Sequence, residues 1–505
     1  MTTGAARWVP GAVLVASAAW IAILTRAVAS DSLESYPMVF PDSFDWITNA
    51  LRYTGIPLQV SWRAVLTPFI QAGLFALHAE WLIPLLGPCW FIATVLALVT
   101  LGRRLVGEAA LWAAVLFAAN HHVLAHGLVI GSDMLMIALN TTGLLATGLA
   151  VEEREPRWLL LAVPVLALGW LAQPLAPLLA PTLATLLLAR GPGAARALAS
   201  RRTAAGALAL GVLVLVAAEG LRFGLTGVSS TTIQRPFGFP AGHVVYYLWA
   251  SLAVWSWPVL ALALAGAAAA LRDDRCRPLA AVALVLIGTH ILFFGLVYDW
   301  RDGRFVLYWT VPALLLAGTA LARLRPAVRW PVLAAAVLWT NLTVTPDASS
   351  HEIAAVWWPG RASVLDYYSS TLRPAAAAPY PFRDSLRRWA RDRRRSFNNA
   401  RADDPIFSRD RMRAMQAAAA LATSDTPLWF QPAADAPVTH KYILRNQLAL
   451  YARRTVPLVD GPPPGTSGIL VAPVAVAERL LAEATGARAT VVTRGPRYVV
   501  MRVRP

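Results

Sequence analysis

The sequence predicts a polytopic α-helical membrane protein with a small soluble α/β domain at its C-terminal end. Of the 505 residues, 57% are hydrophobic and only 14% are charged, whereas a soluble chain averages about 25% charged residues. Apolar runs of bilayer-spanning length follow one another from Trp8 to about Thr345. Arginines recur in the short loops between these runs, which is the arrangement that membrane orientation requires.

Residues 1–345 are predicted to form the membrane domain. Each crossing needs about 20 mostly apolar residues, which gives about 11 spans. These are Trp8–Ala29, Trp81–Leu101, Ala109–Leu124, Met134–Val151, Trp158–Gln173, Pro174–Leu188, Thr203–Leu221, Val244–Leu271, Leu279–Val297, Phe305–Leu321 and Trp330–Thr345. The two around Gln173-Pro174 could also be one kinked helix. The first run could also be a signal peptide cleaved after Ala29, but its length favours an uncleaved helix.

The net charge of +17 comes almost entirely from arginine, since Lys441 is the only lysine. If the N-terminus is cytoplasmic, every cytoplasmic turn carries at least two arginines and the opposite loops carry fewer. The chain after Thr345 is then extracytoplasmic, and the Ala- and Arg-rich composition favours a bacterial inner membrane. Nucleic acid is not an expected partner, because no basic stripe with interleaved aromatic residues is present.

The tail after Thr345 divides into two predicted regions. Residues 346–420 are expected to be a basic linker, either solvated or including helices that rest on anionic lipid headgroups. Residues 421–505 alternate short β-rich runs such as Ile469–Val471 with helical runs such as Tyr442–Arg453. This alternation predicts a small extracytoplasmic α/β domain.

Ionisable residues near membrane depth are candidates for function, and here they gather on the predicted outer side. The long outer loop 30–80 contains Asp42 and Asp45. Residues 43–53 are amphipathic, which predicts a helix lying at the membrane interface. Asp42 stands at the start of this helix, where it is either an ordinary N-cap or a catalytic carboxylate.

Two other outer turns carry candidate residues. The first contains three histidines and an aspartate close together in the chain, namely His121, His122, His126 and Asp133. These side chains either bind a metal such as zinc or hydrogen-bond polar groups in an outward-facing cavity. His122 is expected to contribute to substrate binding. The turn 298–305 contains Arg301 and Arg304. An arginine there could bind a phosphate through two hydrogen bonds. Alternatively, it could form salt bridges with neighbouring aspartates or anchor the turn at the membrane–water interface.

Four short motifs, in this order along the chain, resemble those of the GT-C superfamily of polyprenyl-phosphate-sugar-dependent glycosyltransferases. The nearest likeness is to the bacterial branch related to protein O-mannosyltransferases and lipid A aminoarabinose transferases. The motifs are Asp42-x-x-x-Trp46-x-x-x-Ala50, Gly131-Ser132-Asp133, Gly303-Arg304-Phe305 followed by Pro312, and Leu448-Ala449-Leu450-Tyr451-Ala452-Arg453-Arg454. The family often has two adjacent acidic residues in the first motif, whereas Ser43 follows Asp42 here. Asp45 is the candidate for the second carboxylate, and a divalent metal is a candidate cofactor, with none assigned.

The resemblance implies transfer of a sugar from a polyprenyl-phosphate donor to a hydroxyl of a glycan, lipid or protein acceptor. It implies that Asp42 is the general base of an inverting displacement and that Asp133 positions the acceptor or the base. Arg304, with Arg301, would stabilise the departing phosphate, and Asp45 would help to bind substrate. Two alternatives remain: a transporter or flippase for a lipid-linked glycan, which should show two related halves, and a structural assembly subunit.

Overall fold

The structure is a computed structural model. It describes residues 11–19, 41–56, 64–127, 130–173, 175–189, 202–226, 243–298, 303–342, 352–358, 361–366, 378–379, 409–434, 438–483 and 488–504. The predicted span Trp8–Ala29 is described only at 11–19, which are helical (α1). Most of the segment predicted as a basic linker lies outside the described residues.

The described residues up to Leu342 form a helical body. Its α-helices after α1 are α2 (Pro41–Tyr53), α3 (Leu66–Ala76), α4 (Leu86–Ala97), α5 (Arg103–Val106), α6 (Glu108–Ala119), α7 (His121–Gly127), α8 (Asp133–Glu152), α9 (Leu159–Ala172), α10 (Ala180–Ala189), α11 (Arg202–Thr226), α12 (His243–Trp255), α13 (Trp257–Leu271), α14 (Arg277–Leu296), α15 (Thr310–Arg323) and α16 (Pro326–Leu342). Short 3-10 helices include Glu80–Leu85 and Gly303–Trp309. Four stretches of the described chain are long and apolar enough to cross a membrane, namely Glu80–Val106, Asp133–Glu152, Arg277–Leu296 and Arg304–Arg323, and shorter apolar helices accompany them. The chain is therefore a polytopic helical membrane protein, as predicted.

The predicted span Val244–Leu271 is wrong as a single helix, because α12 ends and α13 begins on either side of Ser256. Ser256 has a φ of 69°, and Pro258 favours the first turn of a new helix because proline has no N–H to donate. Polar groups freed by a break inside an apolar body must find partners. The Ser256 hydroxyl is 2.7 Å from the Thr340 hydroxyl, and Asn120 Nδ2 donates to the Val254 carbonyl oxygen at 2.7 Å.

Close helix packing in the body depends on glycine. A Cβ atom on Gly318 of α15 would stand 2.1 Å from the Ala109 carbonyl oxygen of α6, and one on Gly266 of α13 would stand 1.8 Å from the Leu316 carbonyl oxygen. Small residues let helix backbones approach closely where lipid gives little hydrophobic driving force between helices. Helix α15 is thereby held between α6 and α13.

Helix α8 connects two chemically different ends of the body, about 30 Å apart for its length at 1.5 Å per residue. At its Glu152 end the predicted cytoplasmic loops meet in ion pairs. Arg104 Nη2 donates to Glu153 at 2.9 Å, and Arg323 Nη2 lies 2.8 Å from Asp273. At its other end stands Asp133, which we call the Asp133 end below.

The C-terminal part contains two sheets. The first, antiparallel, is formed by β1 (Glu352–Trp358), β2 (Arg361–Asp366) and β3 (Ala378–Pro379). The second has the order β4-β5-β7-β6 and is formed by β4 (Leu428–Phe430), β5 (Gly468–Pro473), β6 (Arg488–Arg494) and β7 (Tyr498–Arg504). Strands β4 and β5 are parallel and the other pairs are antiparallel. Helices α17 (Arg409–Leu421) and α19 (Val474–Glu483) pack against this second sheet, and α18 (Val438–Ala452) packs against α17. The second sheet and these three helices together are the C-terminal unit.

The first sheet and α17 both lie in the segment 346–420 that was predicted as linker. The first sheet contains Val356, Trp357 and Trp358, residues that favour strands because they pack well on a pleated surface. Helix α17 packs against α18, β5 and β7, because it buries Ala414, Met415 and Ala418 in their core. The structured C-terminal unit therefore begins before residue 421.

Candidate active site

The Asp133 end of α8 brings together polar side chains from distant parts of the chain. The Tyr308 hydroxyl donates a hydrogen bond to Asp133 Oδ1. Arg304 Nη1 lies 4.0 Å from Asp133 Oδ2, and the two side chains are each only 13% exposed. Asp133 is also the first residue of α8, where the helix dipole stabilises a negative charge. The structure thus brings together Asp133 and Arg304, two candidate residues from distant parts of the sequence.

The 3-10 helix Gly303–Trp309 carries Arg304 and Tyr308 next to a cluster of aromatic rings, called the aromatic wall below, which includes Phe294 and Phe305. The Arg304 guanidinium carbon lies 5.6 Å from the centre of the Phe305 ring, and Phe305 stacks on Phe294 at 4.5 Å. The fully buried Trp309 fixes the end of this segment by donating from Nε1 to the Ser251 hydroxyl at 3.1 Å. Few water molecules can screen a charge in such surroundings, so Arg304 interacts more strongly there than at an open surface.

His126 adds a neutral imidazole near this cluster. Burial, and secondarily the positive charge of Arg304, lower the pKa of His126 to about 3. The imidazole is therefore uncharged at neutral pH and can both donate and accept a hydrogen bond. Helix α7, which carries it, packs closely on α4, since a Cβ atom on Gly127 would lie 3.3 Å from the Phe91 ring.

Helix α2 lies against the turn that leads to Asp133. The buried Ser43 hydroxyl donates to the Ile130 carbonyl oxygen at 2.7 Å, and a Cβ atom on Gly131 would lie 3.9 Å from Trp46 Nε1. The backbone of Asp42 is in the first turn of this helix, next to Ser43 and hence beside the turn. The side chain of Asp42 lies outside what the structure describes.

The other predicted site residues have different positions. Asp45 is 8% exposed and accepts a hydrogen bond from Asn446 Nδ2 of α18 at 3.2 Å, which places it against the C-terminal unit. Arg301 and the side chain of His122 lie outside the described residues. Among the residues that the structure does describe, no group of three or more His, Cys, Asp or Glu side chains could hold a metal ion.

Sequence reasoning missed three residues of this region. Tyr308, one turn beyond Arg304, binds Asp133; Gln173 Nε2 donates to the Ser132 hydroxyl at 2.6 Å; Asn446 binds Asp45. Gln173 and Tyr308 are polar groups within predicted spans, so intramembrane polarity was the available signal for both. No feature of the sequence indicated Asn446.

An apolar cavity of about 760 Å³ begins beside this cluster and lies between α8, α10, α14 and α15. Tyr308 lines one end, and Arg104 and Glu153 line the other. On α8 its lining residues recur from Met136 to Glu152, a distance of about 24 Å along the helix axis. The cavity therefore runs through most of the thickness of a bilayer.

Fold and site together define a polytopic helical membrane protein with a charged, largely buried cluster at one end and a bilayer-deep apolar cavity beside it. The sequence also matches the family described as dolichyl-phosphate-mannose-protein mannosyltransferase, over residues 63–219. This range includes His126 and Asp133 but neither Asp42 nor Arg304. No curated protein sequence matches the chain.

Solved structures with the same fold come from bacteria and archaea. ArnT from Cupriavidus metallidurans bound to undecaprenyl phosphate has a TM-score of 0.66 and 17% identity, covering 96% of this chain and 97% of that chain. The apo state of the same protein has a TM-score of 0.61 and 17% identity, covering 96% of this chain and 98% of that chain. The Archaeoglobus fulgidus oligosaccharyltransferase in the apo form has a TM-score of 0.50 and 12% identity, covering 90% of this chain and 65% of that chain. At these identities the likeness concerns the fold, and together with the family match over residues 63–219 it agrees with the resemblance to the GT-C superfamily found in the sequence.

Proposed function

We propose that this protein is a membrane glycosyltransferase that moves a sugar from a polyprenyl phosphate to an acceptor hydroxyl at the extracytoplasmic face. The observation that carries the proposal is the Asp133–Arg304–Tyr308 cluster at one end of the apolar cavity. A lipid-linked sugar needs both parts, because its phosphate is charged and its prenyl chain is apolar. The structure of ArnT with undecaprenyl phosphate supports this class of donor.

Arg304 is the group that would bind the donor phosphate. A guanidinium carries five N–H donors in a planar fork, so it can contact a carboxylate on one side and a phosphate on another. Asp133 and the Phe305 ring restrict where the guanidinium can lie. As the glycosidic bond breaks, negative charge grows on the phosphate oxygen, and a fixed cation in a partly dry site stabilises that charge.

Asp42 is the proposed general base. The acceptor oxygen forms a bond to the anomeric carbon while the bond from that carbon to the phosphate oxygen breaks. The acceptor proton passes to the Asp42 carboxylate, and the polyprenyl phosphate leaves with the bonding electron pair. One displacement of this kind inverts the anomeric centre. The position of the α2 backbone beside the turn 130–133 supports the assignment, and proton transfer to a placed carboxylate contributes about 10²- to 10⁴-fold to the rate.

The prenyl chain of the donor is proposed to lie in the apolar cavity. Leu144, Leu145, Ala283, Leu286 and Leu315 are among the residues that line it, and moving hydrocarbon from water onto such a surface is favourable. Because the cavity begins at Tyr308, a chain inside it would bring its phosphate towards Arg304.

The test is sugar transfer from a synthetic lipid-linked donor by the purified full-length protein. Asp42→Asn is expected to lower kcat at least 100-fold, and near-normal turnover would end its role as base. Arg304→Ala is expected to raise KM for the donor and to lower kcat. Arg277→Ala is the matched control, because Arg277 is an exposed, ion-paired arginine outside the cluster; equal losses in both arginine variants would remove Arg304 from phosphate recognition.

A transporter of lipid-linked glycans is the second candidate, because the cavity extends from one end of α8 to the other. The same assay separates the two functions. A glycosyltransferase releases polyprenyl phosphate and forms a glycosylated acceptor in detergent, where there are no two sides to transport between. A transporter leaves the donor intact in detergent and moves it only across sealed vesicles.

A further inference from the structure

Helix α2 is held between the membrane body and the C-terminal unit. One apolar cluster contains residues from all three parts: Ile47 and Leu51 of α2, Ile83 and Ile130 of the body, and Ala418, Leu444 and Leu448 of the C-terminal unit. A helix of 13 residues is marginally stable by itself in water. The position of α2 is therefore set by what packs on its two sides.

A polar contact fixes the side that faces the C-terminal unit. Asn446 Nδ2 donates to Asp45 Oδ1 at 3.2 Å, and the two residues are 6% and 8% exposed. Arg445 donates to Asn446 Oδ1 from Nε at 3.3 Å and from Nη2 at 3.0 Å. Since the amide oxygen accepts from Arg445, the amide nitrogen is the atom that faces Asp45.

We propose that Asn446 is a positioning residue, through which the C-terminal unit holds α2 so that Asp42 reaches the acceptor hydroxyl that attacks the donor bound at Arg304. This inference rests on the proposed function. Asp42 lies three residues before Asp45, less than one helical turn away. Loss of the contact at Asp45 is therefore expected to displace Asp42, because both residues belong to the same helix. A misplacement of about 1 Å can lower the rate about 100-fold.

The inference changes the role expected of Asp45. As a buried carboxylate that accepts from Asn446, it anchors α2 to the C-terminal unit instead of binding substrate. It also gives the C-terminal unit a part in catalysis, although its own side chains need not touch the sugar. The hydrogen bond from α2 to the turn at Ile130 and the one to α18 then both help to hold α2 in its catalytic position.

The test compares Asn446→Leu, Asn446→Asp and Gln447→Leu in the full-length protein. Asn446→Leu is expected to lower kcat at least tenfold with donor KM unchanged, because donor binding at Arg304 is intact. In Asn446→Asp two carboxylates oppose each other at neutral pH, and as the pH falls one of them takes up a proton and restores the hydrogen bond. Its kcat relative to the wild type should therefore rise as the pH falls.

Gln447→Leu is the control, since Gln447 is the next residue, is fully buried, and its side chain makes no hydrogen bond within the described part of the chain. Its kcat should stay within about twofold. Equal losses in the Leu variants, or a kcat and pH profile for the Asn446 variants like those of the wild type, would overturn the proposal.

A double-mutant cycle of Asp45→Asn and Asn446→Leu, in which the Tm of each variant is measured, separates this inference from the proposed function. The Tm losses should not add, because both variants remove one contact. Non-additive losses with wild-type turnover make the contact structural only and overturn the positioning role. Turnover that survives in Asp42→Asn overturns the base assignment, whatever the cycle shows.

Discussion

Removal of the Tyr308 hydroxyl is the most direct test of the cluster at the Asp133 end. Tyr308→Phe keeps the ring in its aromatic wall and deletes only the donor to Asp133. A hydrogen bond to a charged group contributes about 1.5–3 kcal/mol. Asp133 is partly reached by solvent, at 13% exposure, so the lower part of that range applies. At about 1.36 kcal/mol for each factor of ten, we expect kcat/KM to fall roughly 10- to 50-fold.

The assay is steady-state sugar transfer from a lipid-linked donor, with Tyr498→Phe as the matched control. Tyr498 is also buried but lies in β7 of the C-terminal unit, so its variant reports what a lost tyrosine hydroxyl does outside the cluster. The double variant Tyr308→Phe/Asp133→Asn should lose less than the product of the single losses, because both changes remove one interaction. Activity of Tyr308→Phe within twofold of the wild type, or strictly multiplicative losses, would refute the reasoning.

Three further changes test the body that supports the site. Gly318→Ala should lower the Tm, because its Cβ would meet a backbone carbonyl at 2.1 Å and overpacking costs about 1–3 kcal/mol; Gly288→Ala, which meets nothing within 4 Å, should raise it slightly through helix propensity. Asn120→Leu removes two buried hydrogen bonds and should cost about 2–4 kcal/mol in the free energy of unfolding, measured by chemical denaturation in detergent. His126 has a pKa of about 3 when folded and 6.5 as its ordinary value, so the unfolded state binds more protons and stability falls as the pH drops below about 6.5. The fall in Tm between pH 7 and pH 4 should be smaller in His126→Gln.

Much of the helical body could be predicted from the sequence, because lipid imposes a simple rule on composition. Apolar runs and arginine-bearing turns located α8, α14 and α15 closely, and the ion pairs join turns that were predicted to lie on one side. The break at Ser256 was missed, since hydropathy alone does not register a helix interruption whose polar groups are satisfied by Asn120 and Thr340. In the C-terminal unit, the β-rich run Ile469–Val471 lies in β5 and the helical run Tyr442–Arg453 coincides closely with α18.

The site was predictable only in part, for a different physical reason. Asp133 and Arg304 were recognisable as ionisable groups beside apolar spans, and the structure brings them together. The contacts that give each residue its role join segments far apart in the chain: Tyr308 binds Asp133 across 175 positions, and Asn446 binds Asp45 across 401. Local sequence does not encode such pairs. Asp45 was therefore assigned to substrate binding from its nearness to Asp42, and its contact with Asn446 of the C-terminal unit could not be predicted from the sequence.

The contacts of Asp133 indicate that the two candidate catalytic carboxylates, Asp133 and Asp42, have different roles. Asp133 Oδ1 accepts from Tyr308 and Oδ2 faces Arg304, so both oxygens are engaged and the carboxylate is suited to hold other groups in place. Asp133→Asn would keep an oxygen for Tyr308 but would turn an amide N–H₂ towards the guanidinium, two donors in opposition. We therefore expect Asp133→Asn mainly to raise donor KM by displacing Arg304.

Asp42→Asn should act differently, lowering kcat while donor KM changes little, because the base takes its proton only as the reaction proceeds. Both variants are measured in parallel at saturating acceptor, with donor concentration varied. If Asp133→Asn lost kcat as completely as Asp42→Asn while binding donor normally, Asp133 would be the better candidate for the base. The position of α2 beside the turn 130–133 would then serve to shape the acceptor site.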